Sequence, residues 1–186
     1  MKKTRRFLIL LLLVYIGLWF ALSGTGAGRV SLQLAAQKNS AFLARLFVGL
    51  GANPGVKGED GMTPLHFAAY LGADQVIPVL IEKGAAVNAR DNEGRTALHL
   101  AAYAGHVPAV TALMDRRADP EVRENQGKMT ALHLAVVQKH PQAVRALLEK
   151  GANPNSREKN GYTPLFIAEH EELADIIVVL EEHGAG

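Results

Sequence analysis

From residue 29 onwards, apolar positions come in short bursts at helical spacing, parted by polar stretches rich in Gly, Asn and Asp, and the bursts return on a fixed beat. Thr63-Pro64-Leu65-His66-Phe67-Ala68-Ala69, Thr96-Ala97-Leu98-His99-Leu100-Ala101-Ala102, Thr130-Ala131-Leu132-His133-Leu134-Ala135-Val136 and Thr163-Pro164-Leu165-Phe166-Ile167-Ala168-Glu169 lie 33, 34 and 33 residues apart. Each is followed by a second apolar burst: Val76-Ile77-Val79-Leu80-Ile81, Val107-Val110-Leu113-Met114, Ala143-Val144-Leu147-Leu148 and Ile176-Ile177-Val178-Val179-Leu180. The pattern predicts two short helices per unit, with the leucines turned inward beside small alanines that let neighbouring helices approach closely.

The punctuation supports this reading. Thr63, Thr96, Thr130 and Thr163 are N-cap residues, and Pro64 and Pro164 suit the first helical position, where no N–H is needed. Gly72 and Gly105 fit the turn between the helices, and Gly51, Gly84, Gly151 and Gly184 the residue that ends the second one. Lys139 and Glu172 stand where the first kind of glycine is expected, and Arg117 where the second is. Gly61, Gly94, Gly127 and Gly161 suit the tip of a hairpin between units, with Lys128-Met129 adding one residue at the third tip as a local bulge. Pro78 sits some way into a predicted helix and bends it unless that helix starts late.

Two phrases locked at one period, the Thr-x-Leu-His run and the closing Gly-Ala-Asn-Pro of residues 51–54 and 151–154, resemble the ankyrin repeat. The resemblance runs from about residue 29 to the C-terminus. It implies a mainly α solenoid of stacked helix pairs joined by β-hairpin loops, with a divergent capping repeat at 29–57, repeats at 58–90, 91–123 and 124–157, and a C-terminal capping repeat at 158–186. It also implies non-catalytic protein binding through the concave face and the tips. On the concave face this selects Tyr70, Leu71, Tyr103, Val137 and Gln138; at the tips it selects Arg90, Arg95, Arg123, Lys128, Arg157 and Tyr162. Tyr70 and Tyr103 share one position on adjacent first helices and make either an interface anchor or ordinary spacers. Lys57, Arg90, Arg123 and Arg157 form a basic row that Asp91, Glu124 and Glu158 are placed to neutralise. The partner is a protein of unstated identity, and the chain is expected to be a monomer. An alternative reading is a membrane-linked regulator or inhibitor that covers an envelope enzyme.

His66, His99 and His133 recur on one face, yet equivalent positions in stacked units lie about 10 Å apart, while a zinc ion needs ligands at about 2 Å. The resemblance gives them a structural role, bonding neighbouring backbone and hydroxyl groups. Phe166 replaces the histidine where fewer neighbours remain. No other grouping supports catalysis, a cofactor or a metal, so the expectation is a protein that is not an enzyme.

The first unit keeps only Leu32, Ala35, Ala36 and its closing phrase, and its second helix, Phe42 to Val48, packs on the next unit or faces lipid or a partner. Ahead of it, residues 7–22 are an uncharged apolar run behind Lys2, Lys3, Arg5 and Arg6, making 1–28 an export signal or anchor with a short linker. Sixteen residues cover roughly 24 Å as a helix, and extension to Ala27 reaches about 31 Å against a ~30 Å hydrocarbon core, so length leaves both open. Ala21-Leu22-Ser23 and Thr25-Gly26-Ala27 suit cleavage; Trp19 and Phe20 suit an anchored interface. Either way the repeats are sent across the membrane, to the periplasm or to the periplasmic side of the inner membrane. The chain has no Cys, which excludes disulfides and thiolate metal sites and leaves the redox compartment open, and it has no Asn-x-Ser/Thr sequon, which for an exported chain favours a bacterial envelope. Net charge is +2, but residues from 24 on carry 16 basic and 18 acidic side chains, which is not the footprint of a nucleic-acid binder.

Overall fold

The computed structural model describes residues 26–186, and these build ten helices and no strand. The inner row is α1 (Gly26–Gln37), α3 (Pro64–Tyr70), α5 (Ala97–Tyr103), α7 (Ala131–Val137) and α9 (Pro164–His170). Behind it run α2 (Ala41–Gly49), α4 (Val76–Glu82), α6 (Val107–Met114), α8 (Pro141–Glu149) and α10 (Ala174–Glu182). Each inner helix packs on the next inner helix and on its own outer partner, so the chain is a two-layered stack that grows along one axis. The expected export or anchor helix falls at residues outside those described. Among the described residues no helix is long and apolar enough to cross a membrane.

The core is the seam between the layers. Leu65, Leu98 and Leu132 from the inner row meet Ile77, Leu80, Val110, Leu113, Val144 and Leu147 from the outer row, all at most 1% exposed. Ala68, Ala101, Ala135 and Ala168 are fully buried along the inner row, where a larger side chain would force the helices apart. Leu165 departs from the expected inward position: it is only half-buried, because no further unit stacks beyond it.

Helices of seven to nine residues are too short to stand alone, so their ends carry much of the specification. α4 starts at Val76, which makes Pro78 its third residue. The first four amides of a helix have no intrahelical acceptor, so the proline forfeits nothing there and the feared bend does not arise. Between the layers, Gly72 and Gly105 both take φ 70°, and Lys139 and Glu172 occupy the same left-handed region at φ 60° and 54°. A Cβ at Gly105 would also lie 2.7 Å from the His140 ring, which packs over this turn and bonds through Nε2 to the Tyr103 carbonyl. Position 139 pays the left-handed strain with a side chain whose one ion pair, to Glu171, is exposed. Lys139→Gly is therefore expected to stabilise the fold by about 1 kcal/mol, read as a raised denaturant midpoint at unchanged slope.

The loops between units differ from the β-hairpins expected. Each is a tight turn closed by one main pairing, Gly58 N–H to Met62 O, Asp91 N–H to Arg95 O, Glu124 N–H to Met129 O and Glu158 N–H to Tyr162 O. No second rung follows, because the chain is drawn at once into the Thr cap of the next helix. The extra residue of the third turn is absorbed at Lys128, which adopts φ 56°.

Candidate functional site

The recurrent histidines form the frame that holds the candidate surface. In α3, α5 and α7 the Thr N-cap and the His three residues on form a capping box, with imidazole in the place usually taken by a carboxylate. The amides of Thr63, Thr96 and Thr130 donate to Nδ1 of His66, His99 and His133 at 3.1, 3.2 and 3.3 Å. An amide can only donate, so Nδ1 must accept and the proton sits on Nε2. That Nε2 reaches into the next unit, to the carbonyls of Arg95, Met129 and Tyr162 at 3.0, 3.2 and 3.3 Å. Burial holds His66 and His133 below the usual imidazole value of 6.5 and takes His99 down to about 4, the backbone bonds pulling the other way without prevailing. Thr163 caps α9 by accepting the Phe166 amide. The three imidazoles occupy separate slots in the stack, each engaged at both nitrogens. Among the described residues no group of His, Asp and Glu is placed to hold a metal ion.

At the tips the expected neutralisation of the basic row by neighbouring acids does not occur, since those acids are turned inward as brackets. Asp91 accepts the amides of Glu93 and Arg95, Glu124 those of Gln126, Gly127 and Met129, and Glu158 those of Asn160 and Tyr162. All three carboxylates are buried. For Glu124, burial pushes the carboxyl pKa up, but the Met129, Gln126 and Gly127 amides outweigh it and leave the group below its ordinary value. The bases turn to backbone instead. Lys57 donates to the Arg90 carbonyl, Arg90 to the Arg123 carbonyl and to Asn125, and Arg157 to the Gly161 carbonyl. Only Arg95 pairs with acids, Asp91 at 2.8 Å and Glu93 at 2.9 Å. Arg123 and Lys128 are exposed, and their side chains make no hydrogen bond or ion pair among the described residues. Arg90 and Arg157 are thus staples of the loops, whereas Arg123 and Lys128 are available to a partner. Asn92 and Asn125 add links from tip to tip, to the Glu59 and Asn92 carbonyls, so the loops stand as one braced row.

Between this row and the inner helices runs a groove of about 550 Å³. Tyr70 and Tyr103 are the last residues of α3 and α5, open onto it, and are 48% and 44% exposed. Neither ring stacks on another aromatic; the ring pairs among the described residues are Tyr162 with Phe166 and Phe166 with His170. Leu100, Leu134 and Met129 make the floor, and Glu93, Arg95, Gln126 and Glu124 the polar side. Of the residues singled out from the sequence, the groove collects Tyr70, Tyr103 and Arg95. Leu71 and Val137 are exposed beside it, and Gln138 is half-buried as the C-cap of α7. The floor residues went unnoticed in the sequence, although Leu100 and Leu134 lie one helical turn before Tyr103 and Val137.

Tyr162 belongs to a separate surface. Its ring stacks on Phe166 with centroids 4.4 Å apart and planes inclined by 16°. Phe166 and Val178, 44% and 51% exposed, leave an apolar component on the C-terminal capping repeat.

A stack of helix pairs held by forward-reaching caps, with a braced row of loops above a concave groove, defines the class: a helical repeat protein that presents an extended surface. The family model described as "Ankyrin repeats (3 copies)" matches residues 32–124 and again 118–185, and the chain belongs to the ankyrin-repeat family. Among curated proteins none matches it.

Proposed function

We propose that this chain is a non-catalytic protein-binding module displayed on the periplasmic side of a bacterial inner membrane, gripping a folded protein partner in the groove at Tyr70 and Tyr103. Ankyrin repeats are in general protein-interaction modules, and that coarse role is the starting point. The observation that carries the finer reading is the pair of half-exposed tyrosines opening on an apolar floor, in a frame whose buried side-chain polar atoms all have partners among the described residues. A rigid surface loses little freedom on binding, and aromatic anchors with few rotatable bonds keep the ordering cost low. Arg123 and Lys128 supply polar contacts at the rim. The apolar run at 7–22 behind four basic residues supports export, either as a cleaved signal or as a single anchor.

Two measurements test this. Crosslinking in intact cells identifies the partner, and titration of that partner with the Tyr70→Ala, Tyr103→Ala double variant is expected to raise Kd by about 30-fold or more. Binding unchanged by the double variant would remove the groove from the interface. The mature N-terminus and fractionation decide the export mode: a shortened soluble form means a diffusible binder, and a full-length form that survives carbonate washing of membranes means a tether.

A further inference from the structure

Charge in this chain is divided by position. No acidic residue precedes Glu59, so residues 1–58 hold eight basic side chains and no acid, while residues 59–186 hold 12 basic and 18 acidic ones. Within the described part, the basic end is the α1–α2 pair, where Lys38 and Arg45 are exposed and enter no ion pair. The same end is apolar where it has no structural need to be. Val30 and Leu34, one turn apart on α1, are 59% and 42% exposed; Phe42 and Leu46, one turn apart on α2, are 72% and 42% exposed. The inward sides of both helices are already satisfied, by Leu32, Ala35 and Ala36 on α1 and Ala44 on α2.

The chain supplies its own comparison. The positions equivalent to Phe42 in the later units are Gln75, Pro108, Gln142 and Asp175, none of them a large apolar residue. Val79, the counterpart of Leu46, is 2% exposed because a repeat unit precedes its own; among the described residues no repeat unit precedes that of Leu46. An apolar stripe flanked by bases, on two helices that carry no acid and with the nearby Asp74 carboxylate held by Asn39, is the composition of a surface that lies in a membrane interface.

We propose that the α1–α2 end of the solenoid rests on an anionic lipid bilayer, with Phe42 and Leu46 in the interfacial layer and Lys38 and Arg45 against lipid phosphates. This rests on the reading that residues 7–22 tether the chain. Only residues 23–25 separate that apolar run from α1, a reach of about 14 Å at most, so a tethered solenoid has its first helix pair at the bilayer surface. A second copy is the poorer occupant: a two-fold contact through this face would bring two sets of unpaired bases together on helices that carry no acid.

The absence of cysteine makes the test direct. Single Phe42→Cys and Gln142→Cys variants of the full chain, both at exposed positions, are labelled with an environment-sensitive fluorophore and reconstituted in vesicles of one third phosphatidylglycerol and two thirds phosphatidylcholine. The label at 42 is expected to be quenched several-fold more by a lipid-borne quencher than the label at 142, and the difference to shrink in pure phosphatidylcholine, in high salt and on adding Lys38→Glu with Arg45→Glu. Equal accessibility of both labels to aqueous iodide overturns the proposal. So does a label at 42 shielded from iodide yet untouched by the lipid quencher, which would mean a second copy on this face. Loss of the chain from the vesicles in carbonate overturns the tether and the docking together; retention with an aqueous label at 42 overturns the docking alone.

Discussion

Between pH 6.5 and 4 the folded protein is expected to lose about 3 kcal/mol of stability through His99 alone, at about 1.4 kcal/mol for each pH unit crossed. The unfolded imidazole takes its proton near 6.5, whereas folded His99 resists until about 4 because burial penalises the charge. Over that window the unfolded state binds a proton that the native state refuses, so stability is full above 6.5, falls as the pH drops, and levels off below about 4. His66 and His133 are shifted in the same direction by the same cause and add to the fall. Glu124 joins once the pH passes below its unfolded value of 4.5, since its bracketing amides favour the carboxylate. Denaturant midpoints across this range, followed by circular dichroism, check the slope, and His99→Gln should flatten it. A wild-type midpoint that does not move between pH 6.5 and 5 would show that the imidazole protonates in place.

His133→Ala is expected to cost about 3 kcal/mol at neutral pH, because it strands two backbone groups at once. The Thr130 amide loses its acceptor and the Tyr162 carbonyl its donor, each at a cost of about 1 to 3 kcal/mol when water cannot replace the partner. Phe166→His, the reverse change at the equivalent place in α9, should leave stability nearly unchanged, since no following unit offers a carbonyl. Thermal and denaturant unfolding of the two variants side by side separates this account from one based on helix propensity, which would give both changes similar small effects. Hydrogen exchange should show the His133→Ala loss concentrated from α7 to the C-terminus.

Much of this architecture is legible because the residues that specify it act locally. Thr before α3, α5, α7 and α9, His three residues later in the first three of these, and the left-handed glycines can be read as backbone chemistry without knowing what they face. Pro78 was ambiguous because its effect depends on where α4 begins, and α4 begins late because the preceding turn at Asp74-Gln75 takes up the slack. The partners of the basic row are hidden for a related reason. Sequence displays neighbouring acids but not carbonyls 33 residues away, and those carbonyls are what Lys57 and Arg90 find. The Tyr70 and Tyr103 alignment follows from the period, yet the groove needed the third loop to fold over α5, which brings Met129 and Gln126 onto the same cavity. Two exposed rings at equal spacing therefore suggest a row, and only the fold turns that row into a cleft.

His66, His99 and His133 each point the Nε2 proton toward the C-terminal neighbour, which gives the array a grammar of continuation. A unit whose inner helix opens on Leu-His is matched to a successor, because truncation after it would exchange the carbonyl partner of that Nε2 for water. Phe166 makes no such demand, and its stack on Tyr162 closes the row from within its own unit. Grafting further units onto this protein would thus begin by restoring histidine at 166, and shortening it would begin by moving the phenylalanine back one period to 133.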